Sequence, residues 1–159
     1  ELDKVTNKMQ AKIPGIADNL EPYINIWGEQ EINEHSWPVR LLENAILPGY
    51  LDEADMTPVD VEITRLYSTT QNPDVIPSNY PYRTLKDYKT KDSYILNNTE
   101  FTEFKTENGR AMYAAVLDAI NSRSYSMMDD DEKVAFISDV IKEAQEDVLA
   151  KYKKKYLNK

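Results

Sequence analysis

The chain contains no cysteine and a single histidine, His35. Disulfide bonds, thiolate metal sites and a cysteine nucleophile all need a thiol, so these residues provide none of them. A zinc site would have to consist mainly of carboxylates, which is uncommon. We therefore predict no metal and no cofactor, and we expect His35 to be a surface or capping residue.

Glycine and long apolar runs are also scarce. The 159 residues include four glycines, which leaves no glycine-rich loop to cradle a phosphate group. The chain also lacks the GxSxG sequence that would support a Ser-His-Asp hydrolase built around His35. The longest apolar runs are far shorter than the roughly 20 residues that cross a membrane, so no membrane span is predicted.

Basic residues are outnumbered, with 19 Lys and Arg against 28 Asp and Glu and a formal net charge of −9. This balance disfavours nonspecific binding of nucleic acid, which needs a positive surface. The last nine residues, KYKKKYLNK, nevertheless contain five lysines and no acid. Candidate contacts to phosphate or to a partner are therefore Lys151, Lys153, Lys154 and Lys155. Lysines at a helix C-terminus also complement the helix dipole, and we favour that explanation because no aromatic and basic cluster accompanies the tail elsewhere in the sequence.

The residues that are present suffice for one folded domain. Apolar residues make up 41% and charged residues 30%, with 11 tyrosines, which is typical of a folded chain. We predict a single mainly α-helical domain over 1–159, with four or five helices, long irregular extended crossings and a candidate small β-hairpin. Residues 1–92 would supply the irregular segment with short helices, and residues 93–159 an antiparallel helix pair.

Helix-start signals identify the short helices of the first half. Ser36 as N-cap and Pro48 as a stop predict one of them. Thr57 as N-cap, Pro58 at the first helical position and an end near Thr70 predict another. Its apolar stripe consists of Val59, Ile63, Leu66 and Tyr67. Residues 16–35 have no regular period but many apolar side chains, so we expect them to pack across a larger element.

The middle of the chain is less regular. Residues 71–92 carry prolines at positions 73, 77 and 81, which predicts an extended crossing over the surface. Within and just beyond this stretch, RTLKDYK and DSYIL are predicted to pair as a small hairpin around TKD.

The second half predicts two long helices. The first runs from about Thr99 to Asn121, and Gly109 in its interior costs about 1 kcal/mol relative to Ala, which suggests a packing reason for it. The second runs from Asp130 to Tyr156 and has a regular apolar face. The core positions predicted on that face are Val134, Ile137, Ile141 and Ala144. The connection SRSYSMM is short enough to make the two helices antiparallel neighbours.

Three consecutive aspartates precede the last helix. A calcium loop needs oxygen ligands at alternate positions and a central glycine, and neither is found here. Asp129 or Asp130 at the N-cap, with Glu132 reaching back, matches a capping box at the positive end of the helix dipole. We therefore predict that Asp129, Asp130 and Glu132 cap the helix.

Three stretches together resemble a known family. They are AKIPGIADNLEPYINIWGEQ, DMTPVDVEITRLYSTTQNPDVIP, and the second half from TEFTEFKTENGRAMYAAVLDAINS to the joint and helix SMMDDDEKVAFISDVIKEA. This arrangement is similar to the C-terminal domain of very long polyvalent proteins of tailed bacteriophages and phage-like elements. The start ELDKVTNKMQAKIPG is typical of a helix entered from upstream, so we also expect the domain to be the C-terminal part of a longer chain.

The resemblance implies a role and carries no catalytic residue with it. It implies a non-catalytic docking or packaging module of a virion-associated internal, cargo or ejection protein, located in the capsid interior or tail and then in the host cytoplasm. Its partners would be portal, tail or capsid components, with self-association as a further option. Two alternatives stay open: a carboxylate-based peptidoglycan hydrolase, for which Glu31, Glu34, Glu43, Glu100 and Glu103 are among the available acids, and a nucleic-acid-contacting module that uses the basic tail.

Overall fold

A computed structural model describes residues 23–31, 56–77 and 81–157, and in these ranges the chain is mainly helical, as predicted. The helices are α1 (Pro58–Thr70), α2 (Asn98–Ile120), α3 (Arg123–Ser126) and α4 (Asp130–Tyr156). The strands are β1 (Tyr23–Ile24), β2 (Gln30–Glu31), β3 (Thr84–Lys86) and β4 (Ser93–Ile95). The predicted helix between Ser36 and Pro48, the predicted upstream helix end and His35 lie outside the described residues.

Helix α1 has the predicted boundaries because its start signals are local. The Thr57 hydroxyl accepts from the Asp60 N–H at 3.2 Å, and the Asp60 carboxylate accepts from the Thr57 N–H at 3.0 Å. Pro58 lies in the first turn, where the N–H that it lacks would have no helical partner. The helix ends at Gln71, which adopts a left-handed conformation with φ of 55°.

A short turn follows α1 where the sequence predicts an extended crossing. Pro73–Val75 forms one turn of 3-10 helix. Its cap is Asn72, whose side chain accepts from the Asp74 N–H at 3.0 Å. This local hydrogen bond bends the chain and places Val75 fully inside the core.

Helices α2 and α4 form the antiparallel pair that the short connection predicts. The Phe104 ring near the start of α2 stacks on Tyr152 near the end of α4, with ring centroids 4.4 Å apart. At the other end the chain reverses through α3, a single turn inside the predicted connection. Helix α2 begins at Asn98, one residue earlier than predicted, because Asn97 caps it by accepting from the Glu100 N–H at 2.9 Å.

Two groups of buried side chains hold these elements together. The larger group joins Trp27, α1, the 3-10 turn, α2, α3 and α4 through Trp27, Val59, Ile63, Leu66, Val75, Met112, Val116, Tyr125, Val134, Ile137 and Ile141. The smaller group joins the β3–β4 hairpin to α2 and α4 through Leu85, Leu96, Phe104, Val148 and Tyr152. The predicted face of α4 is buried at Val134, Ile137 and Ile141, and Ala144 is partly buried against the larger group.

Residues 23–31 form a small antiparallel hairpin that the sequence did not predict. The Asn25 side chain folds its turn by accepting from the N–H groups of Trp27 at 3.0 Å and Glu29 at 2.9 Å. The Trp27 indole then donates to Asp60 Oδ1 at 2.8 Å and attaches the hairpin to the start of α1. Strands of two residues are too short to give an alternating pattern, so the sequence could predict only that this segment packs on something larger.

The predicted hairpin around TKD is confirmed as β3–β4. Leu85 pairs with Tyr94 at the centre of the antiparallel register. The turn is held by the Asp87 carboxylate, which accepts from the Lys89 N–H at 2.8 Å, and by Lys91, which takes a left-handed φ of 64°. The hairpin therefore stands against the C-terminal part of α4 with Leu85 in the core.

Candidate docking surface

Of the four tail lysines, Lys151, Lys154 and Lys155 lie within about 100° of one another around α4, and Lys153 lies apart from them. Lys151 pairs with Glu107 of α2, and Lys155 lies over the Tyr156 ring at 5.0 Å from its centroid. Lys153 is about 200° around the helix from Lys151 and lies beside the hairpin. Lys154 is exposed. The predicted candidate contacts therefore do not form one continuous phosphate-binding patch.

The hairpin supplies aromatic and basic neighbours for the tail that the sequence reasoning missed. Tyr88, which is 85% exposed, lies with its ring centroid 6.0 Å from Lys153 Nζ. Tyr82 is 73% exposed on the same hairpin. Tyr125 and Tyr152, by contrast, are buried in the core. The sequence feature that could have indicated these neighbours is YPYRTLKDYKTK, in which tyrosines and basic residues are interleaved. Nothing in the sequence shows that this stretch lies beside the tail in the fold.

A shallow, open groove of about 490 Å³ runs between this hairpin and α4. Its walls come from β3 and its flanks on one side and from α4 on the other. The lining residues are Tyr82, Arg83, Thr84, Leu85, Lys86, Tyr88, Leu149 and Lys153. We call it the β3–α4 groove. Because five consecutive residues line it, the groove follows the edge of the strand and not just one of its faces.

The backbone of β3 has polar groups on the edge opposite β4. Arg83 and Asp87 exchange hydrogen bonds with β4 and its flanks: the Arg83 carbonyl accepts from Leu96 N–H at 3.0 Å, and Asp87 N–H donates to Asp92 at 2.9 Å. Backbone groups alternate along an antiparallel strand, so those of Thr84 and Lys86 point away from β4. In the described part of the chain, β3 pairs only with β4, and these outward groups have no backbone partner there.

The groove carries positive charge at both walls. The Lys86 side chain is exposed on β3, and the half-buried Lys153 extends from α4. Arg83 lies at one end, where it donates to Asn98 Oδ1 at 2.7 Å and covers the Phe101 ring at 4.7 Å from its centroid. In a chain with a net charge of −9, this grouping concentrates basic side chains around one cleft.

A second open depression, of about 470 Å³, lies between α2 and α4. Acidic and basic residues alternate around it, and Lys151 pairs with Glu107 across it. The hydrogen bond from Lys151 lowers the pKa of Glu107. This depression is lined by Thr102, Glu103, Thr106, Glu107, Arg110, Lys151, Tyr152 and Lys155. Because its charges compensate one another, we regard it as a weaker candidate than the β3–α4 groove.

The acidic start of α4 is a structural joint. Asp129 Oδ1 accepts from the Glu132 N–H at 2.9 Å, and the Glu132 carboxylate accepts from the Asp129 N–H at 3.0 Å, which completes the predicted capping box. Asp130 does not cap; its carboxylate accepts two hydrogen bonds from Arg65 of α1, at 2.9 and 3.1 Å. Within the described ranges, no group of His, Cys, Asp or Glu is arranged to hold a metal ion.

Glu62, which pairs with Arg65 on α1, connects α1 to α3. Arg65 donates to both oxygens of Glu62 at 2.8 and 2.9 Å, and Tyr125 Oη donates to Glu62 at 2.6 Å. Burial opposes ionisation of Glu62, but the hydrogen bonds from Arg65 and Tyr125 outweigh it and hold the pKa of Glu62 below its usual value. Burial and the bond to Glu62 raise the pKa of Tyr125. The hydrogen bonds from Arg65 lower the pKa of Asp130.

Of the acids named for glycoside hydrolysis, the structure describes the side chains of Glu100 and Glu103, which are three residues apart on α2. Glu100 is used in the cap of α2 and accepts from Tyr94 Oη at 3.0 Å. Glu103 is exposed at the second depression. Glu34 and Glu43 lie outside the described residues, and for Glu31 only the backbone is described. None of the described helices has the length and apolarity needed to cross a bilayer.

Comparison with family models, with curated proteins and with solved structures finds no match to this chain.

Proposed function

We propose that this domain is a non-catalytic docking or packaging module of a bacteriophage virion-associated protein, and that it acts through protein–protein contacts. The virion role is supported by the resemblance of AKIPGIADNLEPYINIWGEQ and the two later stretches to the C-terminal domain of phage polyvalent proteins. The contact role is supported by the β3–α4 groove. Portal, tail or capsid proteins are the partners that this role requires.

The contact role is supported by one difference: the polar groups of the other sites bind one another within the domain, whereas the groove lies on an open surface. Glu62, Arg65 and Asp130 satisfy one another at the joint between α1 and α4. Asp129 and Glu132 satisfy the first amides of α4. The groove instead offers strand-edge backbone groups, exposed tyrosines and lysines on an open surface, and tyrosine is enriched at protein interfaces.

Particle purification tests the proposal. Phage particles from the strain that encodes the chain are banded by density, treated with protease and nuclease, and analysed by quantitative mass spectrometry. We expect peptides from residues 81–157 to co-purify with full particles at a constant copy number and to be protected from protease until the particle is opened. A chain that is abundant in the lysate but missing from full particles would contradict the virion role.

A second experiment tests the proposal that the domain is not catalytic. The purified domain is assayed in a gel that contains purified peptidoglycan, with a known lysozyme as positive control. We expect no clearing. A cleared band that is lost in Glu103→Gln or in another single Glu→Gln variant, while that variant still folds by circular dichroism, would replace the docking role by a hydrolase.

A further inference from the structure

We propose that the β3–α4 groove binds an extended acidic peptide segment of a partner protein, which adds as a strand to the edge of β3 that pairs with no strand of the described residues. This inference rests on the proposed docking function and names the chemistry of its partner.

The backbone of β3 is the first reason. An extended peptide that joins a sheet edge gains affinity from main-chain hydrogen bonds, and pockets for alternate side chains give selectivity. The outward N–H and C=O groups of Thr84 and Lys86 supply that pattern for a peptide of a few residues. Leu149 and Lys153 of α4 line the groove together with β3, so an added strand would lie beside this part of α4.

The apolar floor of the groove is the second reason. Leu149 lines the α4 side, and Leu85, which is 1% exposed, lies at the base of β3. Side chains of an added strand alternate between the two faces, so every second residue would face this floor. We therefore expect aliphatic residues at alternate positions of the bound segment, because burying each against Leu149 removes apolar surface from water.

The positive charge of the groove favours an acidic partner and is the third reason. Lys86 on one wall and Lys153 on the other would each lie close to the side chains of a strand placed between them. Lysine on an edge strand normally discourages pairing with another strand. An acidic segment would remove that penalty and form ion pairs with both lysines, whereas a basic segment would be repelled.

A single-stranded nucleic acid is the competing occupant, because exposed Tyr82 and Tyr88 could stack bases beside the same lysines. Two observations favour the peptide. The tail lysines Lys151 and Lys155 are held elsewhere, at Glu107 and at the Tyr156 ring, so the phosphate-binding track is short. The net charge of −9 also opposes the approach of a long polyanion, whereas a short segment responds mainly to the local lysines.

The experiment is a selection from a random library of displayed peptides of about eight residues, a common strand length. The bait is the folded 159-residue chain. We expect the selected peptides to be enriched in Asp and Glu, to have aliphatic residues at alternate positions, and to be depleted in proline. Selection of basic or proline-rich sequences, or no enrichment at all, would overturn the proposal.

Matched variants locate the binding. We expect the best selected peptide to bind at least about tenfold more weakly to Lys86→Glu and to Lys153→Glu. Lys154→Glu makes the same charge change on the same helix, outside the groove, and should change the affinity less than about twofold. Equal losses in all three variants would show that the peptide responds to tail charge alone and would overturn the groove assignment.

Amide mapping tests strand addition directly. On saturation with the peptide, we expect the amide protons of Thr84 and Lys86 to shift in NMR spectra and to become protected from exchange. A peptide methylated at alternate backbone nitrogens should lose at least about tenfold in affinity, because it cannot donate to β3. Binding that leaves both amides unprotected would exclude an added strand.

The remaining outcomes are also decisive. A labelled oligothymidylate that binds more tightly than the best peptide, and loses that affinity in the Tyr82→Ser and Tyr88→Ser variants, would replace the peptide by single-stranded nucleic acid. If the chain is present in particles but the groove binds no peptide, this inference alone fails. If the groove binds acidic peptides but the chain is missing from particles, the virion role alone fails.

Discussion

At the scale of single residues, two glycines allow two backbone segments to approach each other closely. Gly28, with φ of +77°, crosses Gly109 in the middle of α2. A Cβ on Gly109 would lie 2.1 Å from the Gly28 nitrogen, and one on Gly28 would lie 2.2 Å from the Thr106 carbonyl oxygen. The packing reason that the sequence suggested for Gly109 is therefore confirmed, because α2 needs this glycine to let the β1–β2 turn approach.

Gly109→Ala should destabilise the domain. In an open helix this change would gain about 1 kcal/mol, but here the added methyl group collides with backbone that cannot rotate away. We expect a net loss of about 1–3 kcal/mol in the free energy of unfolding, measured by urea denaturation. Asp118→Ala, at an exposed position of the same helix, is the control and should change the stability by less than about 0.5 kcal/mol. A variant at Gly109 as stable as the wild type would show that the two backbones do not cross closely.

At the scale of elements, the boundaries that the sequence could predict are those set by local signals. Thr57 with Asp60 and Asp129 with Glu132 form capping boxes whose partners are three residues apart, so the starts of α1 and α4 can be read from the sequence. The partner of Asp130 could not be predicted, because Arg65 is 65 residues away along the chain. The β3–α4 groove could not be predicted for the same reason, because Tyr88 and Lys153 are far apart in the sequence and only the fold brings them together.

The joint between α1 and α4 should make stability depend on acidity. The pKa values of Glu62 and Asp130 are lowered in the folded state. Their contribution is therefore present above the unfolded pKa values, at pH 5 and higher, and is lost as the pH falls through the folded values. We expect the melting temperature to fall on acidification from about pH 6 to about pH 3.

Arg65→Met isolates this effect. The variant should be less stable than the wild type near pH 6, and the difference should shrink as the pH falls through the lowered pKa values of Glu62 and Asp130, because each carboxylate then becomes protonated in the wild type as well. Arg123→Met, at an exposed position of α3, serves as the control and should follow the wild-type pH profile with a small constant offset. A difference between Arg65→Met and the wild type that does not change with pH would show that the ion pairs are not its source.

At the scale of the whole molecule, α4 is the element that both core groups share. Val134, Ile137 and Ile141 belong to the group built on α1 and α2, and Val148 and Tyr152 belong to the group under the hairpin. The sequence predicted this face from its helical period. The short connection also predicted α2 as the neighbour of α4. That α1 contacts one half of the face and the β3–β4 hairpin the other could not be predicted, because periodicity identifies a buried face but not its partner.

Ile141→Asp should unfold the domain. The side chain is 4% exposed, and a buried carboxylate without a partner costs several kcal/mol, comparable with the whole stability of a small domain. Circular dichroism should show loss of cooperative thermal unfolding. Ala150→Asp, at an exposed position of the same helix, should remain folded and cost less than about 1 kcal/mol. A cooperative Ile141→Asp variant would contradict this placement of α4.

The docking role is tested most directly by cross-linking inside purified particles. A carbodiimide joins a lysine to a carboxylate only when the two are in contact, and the ion pair between Lys151 and Glu107 provides an internal positive control. We expect cross-links from Lys86 and Lys153 to Asp or Glu residues in one segment of another virion protein. If the control cross-link forms in full particles but neither lysine is joined to another protein, the domain does not dock through this groove.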